Sequence, residues 1–500
     1  MTSREDPPAP HTTGTLVTAR PVTHRSRPPA GPPPARDAEE LPYPPRYWWL
    51  KRILVGLVFV TALLVGLYFW WDREAQRRIK KTLDRYRAAG QPLRIEDFQS
   101  PPVPAPENAA LPLMAAAAKV DSVPEDLWTL CESLATPTPN KQAADIIGRW
   151  VSKNQPALDL VHGARGKPGV DWGFPLTYPI VNKLFCQLGY QQRLARFIIA
   201  AAVYEHHRGD DHAAIERIRD ALLVERSLLR WRGTLRANLA GVTVGELTCD
   251  GIRLVAPTLR LETTSSDAVQ PAKPAQLRAL IADLLDDDLI RKSWRNAVYA
   301  ERAALIDTLI GPRGCWNGSQ GTLPWFVRPP ALLGLASGLE YLTHWTTLAD
   351  APNLPAGRRQ LAPFPSRSCG LQRQAFQLVD VWIPSLDGAA EITFRLIAEQ
   401  RLAATALAIR WYEADHGHRP ETLDMLVPAY LPAVPADPCA SGDRPITYRP
   451  NGPHPRLYSF GLNLTDDGGT PGCDDAGRLE AATSDLVFFL APPRRAPPAR

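Results

Sequence analysis

An uncharged apolar run at Ile53–Trp71 constrains this chain more than any other feature of its sequence. As a helix, its nineteen residues would extend about 28 Å, close to the ~30 Å hydrocarbon core of a bilayer. Aromatic side chains lie at both ends of the run: Tyr47, Trp48 and Trp49, then Tyr68, Trp70 and Trp71. Such rings favour the two membrane–water interfaces, and Asp72 follows where a cleaved signal peptide would carry small residues. The sequence therefore predicts one transmembrane helix within 47–72, with Ile53–Trp71 in contact with the lipid bilayer.

Basic residues on the two sides of the run bear on its orientation. The twenty residues before it contain four: Arg36, Arg46, Lys51 and Arg52. The twenty residues after it contain seven: Arg73, Arg77, Arg78, Lys80, Lys81, Arg85 and Arg87. The positive-inside rule then favours a cytoplasmic C-terminus, although the rule weakens when a long domain follows the helix.

Proline clusters predict where the chain does not build a core. Residues 1–46 contain twelve of the 51 prolines, and few large apolar side chains accompany them, so a disordered tail is expected there. Residues 73–106 are interpreted as a charged helix, ended by Gly90, and a proline-rich linker; 351–386 form a second proline-rich linker, and 491–500 a short disordered tail. The net charge of +5 is too small to indicate nucleic acid as a partner.

Residues 107–350 show helical periodicity and predict an α-helical domain. The clearest pattern is a helical hairpin at 192–231, and further helices fit 236–255, 275–310 and 331–348. The polar group around His206, His207 and Asp211 is interpreted as a solvated interhelix turn rather than a metal site, because adjacent histidines on a helix point about 100° apart. The fold class is mainly α, since each amphipathic face must pack against another helix.

Residues 387–490 predict a small α+β domain. A helix at 388–415 has one apolar stripe and ends at Gly417. Two alternating segments, 446–449 and 456–461, flank Asn451-Gly452 as a hairpin would.

This C-terminal order resembles the globular part of type II secretion pseudopilins of the major, G type. The matching residues are Tyr412, His416, Gly417, Pro420, Leu423, Leu426, Pro435, Asp437, Pro438, Tyr448, Tyr458, Ser459 and Gly461. Because about 300 residues separate this module from the apolar run, the chain looks like the bacterial single-pass proteins that carry the module at their C-terminus. The resemblance implies a last strand at 485–488. It also implies that the C-terminal domains are extracytoplasmic, and for the orientation it is weighed above the count of basic residues.

The resemblance also implies a Ca²⁺ site in the final loop of the module. The matching residues are Asn463, Asp466, Asp467 and Asp474. Taken without the resemblance, Asn463, Thr465, Asp467, Gly468 and Asp474 fall at positions 1, 3, 5, 6 and 12 of an EF-hand-like spacing, whose oxygen ligands suit a hard cation. Pro471 interrupts that loop and no flanking helices are expected, so an ordinary acidic turn stays the alternative.

The sequence contains no motif of a phosphate-binding loop, a nucleophile elbow, a zinc protease or a dinucleotide site. Seven cysteines are scattered without a C-x-x-C pair, and Cys439 and Cys473 are candidates for a disulfide in an oxidising compartment. We therefore expect a non-catalytic, single-pass envelope protein that binds other envelope proteins. One alternative is a membrane-bound hydrolase with its site between the helical and C-terminal domains; another is a component of type II secretion or pilus-like machinery.

Overall fold

The apolar run lies in the first and longest helix of the computed structural model, which describes residues 46–99, 101–174, 183–262, 270–310, 315–316, 319–320, 328–361, 386–452, 454–471 and 484–491. Helix α1 spans Trp48–Ala88 without a break. Its C-terminal end follows from glycine: Gly90 adopts a left-handed φ of 66°, Gln91 N donates to Tyr86 O at 3.0 Å, and Gly90 N donates to Arg87 O at 3.0 Å. This pair of bonds is a Schellman motif and confirms Gly90 as the predicted end.

A layered set of helices follows α1. Their bounds are α2 Ala110–Lys119, α3 Leu127–Leu134, α4 Lys141–Lys153, α5 Gln155–Ala164, α6 Lys183–His207, α7 Asp211–Arg230, α8 Leu235–Val255, α9 Pro274–Leu285, α10 Asp288–Ile310, α11 Arg328–Trp345, α12 Leu354–Gln360 and α13 Asp387–His416. The helical hairpin predicted at 192–231 is formed by α6 and α7, and Asp210 caps α7 by accepting from Ala213 N at 2.8 Å. The mainly α class is confirmed.

The prediction of one helix over 275–310 is wrong, because two helices meet there. Helix α9 ends at Leu285 and α10 begins at Asp288. Asp286 has a non-helical ψ of 87°, and Asp287 Oδ2 accepts from Arg291 Nε at 3.0 Å and Arg401 Nη2 at 2.9 Å. Aspartate favours helix ends over helix interiors, so the three consecutive aspartates at 286–288 separate the two helices.

Parts of the two proline-rich segments that were predicted to be linkers pack on the core. A 3₁₀ turn at Ile95–Phe98 places Ile95 and Phe98 against Ala300 and Ala303 of α10. Residues 354–360 form α12, with a proline in its first turn, where no backbone donor is needed. Asn353 caps α12 by accepting from Ala356 N at 2.9 Å. Proline here starts structure instead of interrupting it.

The C-terminal segment forms a small antiparallel sheet in the order β3 (Thr447–Arg449), β4 (Arg456–Ser459) and β5 (Leu486–Phe489). Tyr458 is paired with Thr447 on one side and Val487 on the other. The predicted hairpin and last strand are confirmed. Two further pairs of residues, Cys315–Trp316 (β1) and Ser319–Gln320 (β2), form a minimal antiparallel ladder.

One hydrophobic core runs from α2 to β5 and includes α13. The predicted apolar stripe of α13 is buried throughout: Phe394, Ala398, Leu402, Ala406, Ile409 and Tyr412. Helix α13 packs against α8 and α9, and residues from Val65 onward belong to one compact unit. The core is therefore continuous between the two domains that were predicted at 107–350 and 387–490. Most of the predicted linker, 362–385, and the predicted tails, apart from Arg46 and Ala491, lie outside the described residues.

Candidate functional site

The apolar half of α1 is exposed along its length. None of its most apolar window of 18 residues is buried in the structure. Large side chains there are open to the surroundings, for example Phe59 at 70 % and Val55 at 69 %. An exposed apolar surface of this size is far beyond what a soluble chain normally presents to water. The helix is thus long and apolar enough to cross a membrane.

The second half of the same helix, Ala75–Ala88, which we call the stalk, is embedded in protein. Its buried side chains repeat at helical spacing: Ala75, Ile79, Thr82 and Tyr86. The apolar members of this stripe share a hydrophobic cluster with α10 and α11. Contact with the globular part therefore begins at Ala75, one helical turn after the apolar run ends at Trp71.

Arg302 of α10 fastens the end of the stalk. Its side chain is fully buried between the rings of Tyr86 at 4.3 Å and Tyr299 at 4.7 Å. Its Nη1 donates to Gln91 Oε1 at 2.6 Å and Thr343 Oγ1 at 3.1 Å, and Nη2 donates to the carbonyl of residue 92 at 3.0 Å. Burial lowers the pKa of this guanidinium. A cation held by two aromatic faces and neutral oxygens joins α1, α10 and α11 at one point.

A buried carboxyl lies where α7 and α8 meet α13. Glu225 is 2 % exposed, and its Oε1 accepts from Gln400 Nε2 at 2.8 Å, whereas Oε2 has no partner. Burial raises the pKa of Glu225 to about 7, against smaller opposing effects of Arg226 and Gln400. Gly245 provides the space, because a Cβ there would lie 2.9 Å from Glu225 Cδ and 2.7 Å from Leu396 Cδ1.

An ionic network continues along the same helices. Arg395 Nε lies 2.9 Å from Glu399 Oε1 and 3.5 Å from Glu246 Oε1, and Arg253 pairs with Asp250 and lies 3.6 Å from Glu399 Oε1. Three carboxylates thus share two guanidinium groups. Burial, reinforced by the charge of Glu399, raises the pKa of Glu246 to about 7. Perturbed carboxyl groups of this kind mark either an active site or a structural ion network.

Two members of the polar group at the end of α6 and the start of α7 are buried, so the interpretation of the whole group as a solvated turn is wrong. His206 and Asp211 are 7 % and 0 % exposed. His206 Nδ1 is hydrogen-bonded to Asp211, and Nε2 lies 2.9 Å from Thr258 Oγ1. Arg260 Nε donates to the other Asp211 oxygen at 2.5 Å. The expectation failed because sequence spacing does not reveal that residues 258–260 return to this turn.

The predicted Ca²⁺ ligands lie partly in one turn. Asn463 Nδ2 donates to Asp467 Oδ2 at 2.7 Å. Asp466 accepts from Arg444 Nη2 at 3.0 Å and from Tyr458 OH at 3.2 Å. Asp474 lies outside the described residues, as does Cys473, the proposed disulfide partner of Cys439.

These three residues already have protein donors, and the described part of the chain holds no group of three or more His, Cys, Asp or Glu arranged to bind a metal. Oxygen chemistry suits Ca²⁺, but the described geometry is that of a hydrogen-bonded acidic turn. The Ca²⁺ site stays a prediction, and no function is derived from it.

Two residues of the C-terminal pattern, far apart in sequence, meet in the core. Asp437 is 1 % exposed, and its Oδ1 accepts from Ser459 Oγ at 2.6 Å and from Cys439 N at 2.8 Å, while Oδ2 accepts from Phe460 N at 3.0 Å. Four donor and acceptor groups are thereby satisfied without water. Asp437 joins the loop that carries it to the end of β4, which is a structural role.

A small cleft of about 220 Å³ separates the segment after α8 from β5. Its charged lining residues pair with each other: Arg410 Nη1 lies 3.0 Å from Glu413 Oε2, and Arg419 Nε lies 3.5 Å from Glu413 Oε1. Phe488 supplies an apolar wall. The cleft is too small to enclose a drug-sized ligand.

Sequence reasoning missed Arg302, Glu225 and the Glu399 network. A usable signal was present, since Glu225 and Glu399-Gln400 interrupt apolar helical faces.

In comparisons with known proteins, no family model, no curated protein and no solved structure matches this chain.

Proposed function

We propose that this chain is a single-pass membrane protein whose helical body serves as a non-catalytic platform for other envelope proteins. One observation carries the membrane part of the proposal: α1 leaves its apolar half uncovered and then, from Ala75, packs against the body. The apolar side chains of both halves of α1 are unfavourable in water. The protein core covers those of the stalk, and lipid would cover those of the apolar half.

Extraction of cell membranes at alkaline pH with carbonate tests this proposal. An integral chain stays with the bilayer pellet, whereas a peripheral chain moves to the supernatant. Aggregated protein would also be found in the pellet, so urea-washed membranes serve as a control. Flotation on a density gradient then separates vesicles from any remaining aggregate. Quantitative recovery of the full chain in the supernatant would refute the anchor.

The compartment of the body is a separate part of the proposal. The C-terminal module and the length of chain after α1 favour an extracytoplasmic location, whereas the basic residues of the stalk favour the cytoplasm. A reporter enzyme that is active only outside the cytoplasm, fused after Arg500, distinguishes the two. Activity supports the proposed side; an inactive fusion at normal expression, together with activity of a cytoplasm-specific reporter, refutes it.

A hydrolase is the second candidate, and the arrangement around His206 favours it. Thr258 Oγ1, His206 Nε2, His206 Nδ1 and Asp211 lie in the order in which a nucleophile, its base and an orienting acid are placed. Arg260 Nε also donates to Asp211. The hydrogen bonds of His206, Asp211 and Arg260 therefore connect the end of α6 to the segment after α8, which is the structural alternative to catalysis. Ester hydrolysis lost in Thr258→Ala and in His206→Gln, at unchanged melting temperature, would support catalysis; equal background rates would refute it.

Calcium binding is proposed only as an addition to the platform function. Calorimetry of the full chain with millimolar Ca²⁺ tests it, since α13 belongs to the common core and the module is not a separate folding unit in the described residues. A rise in the melting temperature that Asp466→Asn and Asp467→Asn abolish would support binding. If Ca²⁺ does not change the melting temperature, the Ca²⁺ proposal is refuted. The secretion-machinery alternative then loses one of the features that support it.

A further inference from the structure

Four basic side chains lie within the nine residues that follow the apolar run: Arg73, Arg77, Arg78 and Lys80. All four are exposed, with Arg77 and Arg78 at 66 % and 65 % of their side-chain surface. We call these four residues the basic collar. Arg73 lies just before the stalk and the other three lie within it, where the body packs against α1, yet all four cations stay exposed.

The basic collar faces away from most of the protein contacts of the stalk. The buried stripe of Ala75, Ile79, Thr82 and Tyr86 occupies one side of α1. At 100° per residue, Arg73, Arg77 and Lys80 lie roughly on the opposite side. The body therefore does not cover them, and the stalk cannot turn them inward without exposing its own buried stripe.

The carboxylates near the basic collar only partly neutralise it. Glu74 lies 3.1 Å from Arg78 and 4.0 Å from Arg77, so one carboxylate serves two guanidinium groups. Asp72 accepts from Gln76 Nε2 at 2.6 Å. Among the described residues, no ion pair involves Arg73 or Lys80. Four cations against two carboxylates leave an unmatched positive charge directly after Trp71.

Position along the helix distinguishes the basic collar from the rest of the stalk. With a rise of about 1.5 Å per residue, Arg73, Arg77 and Arg78 lie about 3 to 11 Å beyond Trp71. The polar headgroup layer is roughly 5–8 Å thick, and the Debye length at physiological salt is about 8 Å. Lys80 and Lys81 lie about 14 and 15 Å beyond Trp71, near the limit of that range, and Arg85 and Arg87 lie about 21 to 24 Å beyond Trp71 and outside it. Arg85 and Arg87 also have ion-pair partners of their own, in Glu340 and Asp84.

We propose that the basic collar binds the phosphate groups of anionic phospholipids in the leaflet next to the body. The inference rests on the proposed membrane crossing of α1. Guanidinium groups pair with phosphate through two parallel hydrogen bonds, so the three arginines suit this ligand particularly well. Because the stalk is clamped by Arg302, the lipid contacts act on the whole body rather than on a free helix.

Lipid selectivity in reconstituted bilayers tests the proposal. The full chain is placed in phosphatidylcholine bilayers containing trace spin-labelled phosphatidylglycerol or spin-labelled phosphatidylcholine, and the immobilised lipid fraction is measured by electron paramagnetic resonance. We expect the anionic label to associate about five-fold more strongly than the zwitterionic label. The ratio should fall towards one in Arg73→Gln/Arg77→Gln/Arg78→Gln and in 1 M salt.

A matched control carries the same change in charge farther from the bilayer. Lys81→Gln/Arg85→Gln/Arg87→Gln should keep at least half of the selectivity. Equal association of the two labels with the unmodified chain would overturn the proposal, and so would an equal loss in both triple variants. Failure of the chain to float with phosphatidylcholine vesicles would refute the membrane crossing itself, whereas flotation without selectivity refutes the basic collar alone.

Discussion

The apolar half of α1 and the helix α13 are both long and both rich in large apolar side chains, yet their surroundings are opposite. The large apolar side chains of the first are exposed from Ile53 to Trp70. The second is buried on nearly all sides, from Ala389 to Ala414. An apolar helix surface needs a nonpolar environment, and α13 finds one in the protein, whereas the apolar half of α1 does not. Their difference shows which apolar surface the fold covers with protein and which it leaves uncovered.

Ionisable groups sharpen this comparison. The apolar run of α1 contains no charged residue, whereas α13 carries Glu399 and Gln400 inside the core. Protein can supply Arg395 and Glu225 as partners for those groups, but hydrocarbon supplies none. A protein core therefore tolerates polar groups that a membrane-crossing helix must avoid.

Charge insertion should have the largest effect and should separate the two helices. Leu63→Arg together with Val60→Arg places two charges in the middle of the apolar run, at a cost of about 2.5–3.5 kcal/mol each. The chain should leave the carbonate pellet while its body keeps its melting temperature. Leu402→Arg, at a site with no exposed surface, should instead unfold the body. The comparison fails if both changes act on the same property.

Loss of Arg302 should be the next largest effect. Arg302→Ala removes three hydrogen bonds and two ring contacts and leaves a cavity, so we expect a loss of about 3–5 kcal/mol in the free energy of unfolding. Denaturant titration measures it, and limited trypsin digestion should cut the stalk faster. Arg85→Ala, which breaks the exposed pair with Glu340, should cost less than about 1 kcal/mol. Similar losses of unfolding free energy in both variants would contradict the role of Arg302 in holding the end of the stalk.

Protonation of Glu225 gives a pH dependence with a defined sign. Its pKa is about 7 in the folded chain, against 4.5 as the ordinary value. The folded state holds a proton that the unfolded chain has released between these values, so stability falls as the pH rises through this window. Glu225→Gln should therefore be more stable than the parent at pH 8, by about 3 kcal/mol at most, and equal to it near pH 4. A difference that does not change with pH would refute a neutral buried carboxyl.

Glycine substitutions should give the smallest effects and still distinguish the two helical environments. A Cβ at Gly245 would lie 2.7 Å from Leu396 Cδ1, whereas a Cβ at Gly66 meets nothing within 4 Å. Gly245→Ala should cost about 1–3 kcal/mol through overpacking. Gly66→Ala should leave the unfolding of the body unchanged. Thermal melts of the two variants in the same detergent provide the measurement.

Local chemistry explains why part of this structure could be predicted from sequence. Gly90 and Gly417 end helices because only glycine adopts a left-handed φ at little cost, and the stripe of α13 follows from its period. The network of His206 with Thr258, and that of Arg302 with Gln91, join residues separated by 52 and 211 positions. Tertiary packing decides such contacts, and one sequence carries no spacing rule for them.

The proline-rich segments illustrate the same limit. Proline indicated a linker at 351–386, but a proline at the first turn of α12 is also a helix start. Which of the two applies depends on whether apolar neighbours such as Leu354 find a core, and Leu354 is 1 % exposed. Composition could not decide between them.

Spin labels along α1 test most directly whether one helix passes from lipid into protein between Trp71 and Ala75. Single cysteines at Gly66, Arg77 and Ile79, in a background without the seven native cysteines, would report collisions with oxygen in lipid and with a nickel chelate in water. We predict oxygen contact at Gly66, nickel contact at Arg77, and contact with neither at Ile79. Strong nickel contact at Gly66 in reconstituted bilayers would contradict a lipid-embedded first half and, with it, the whole account.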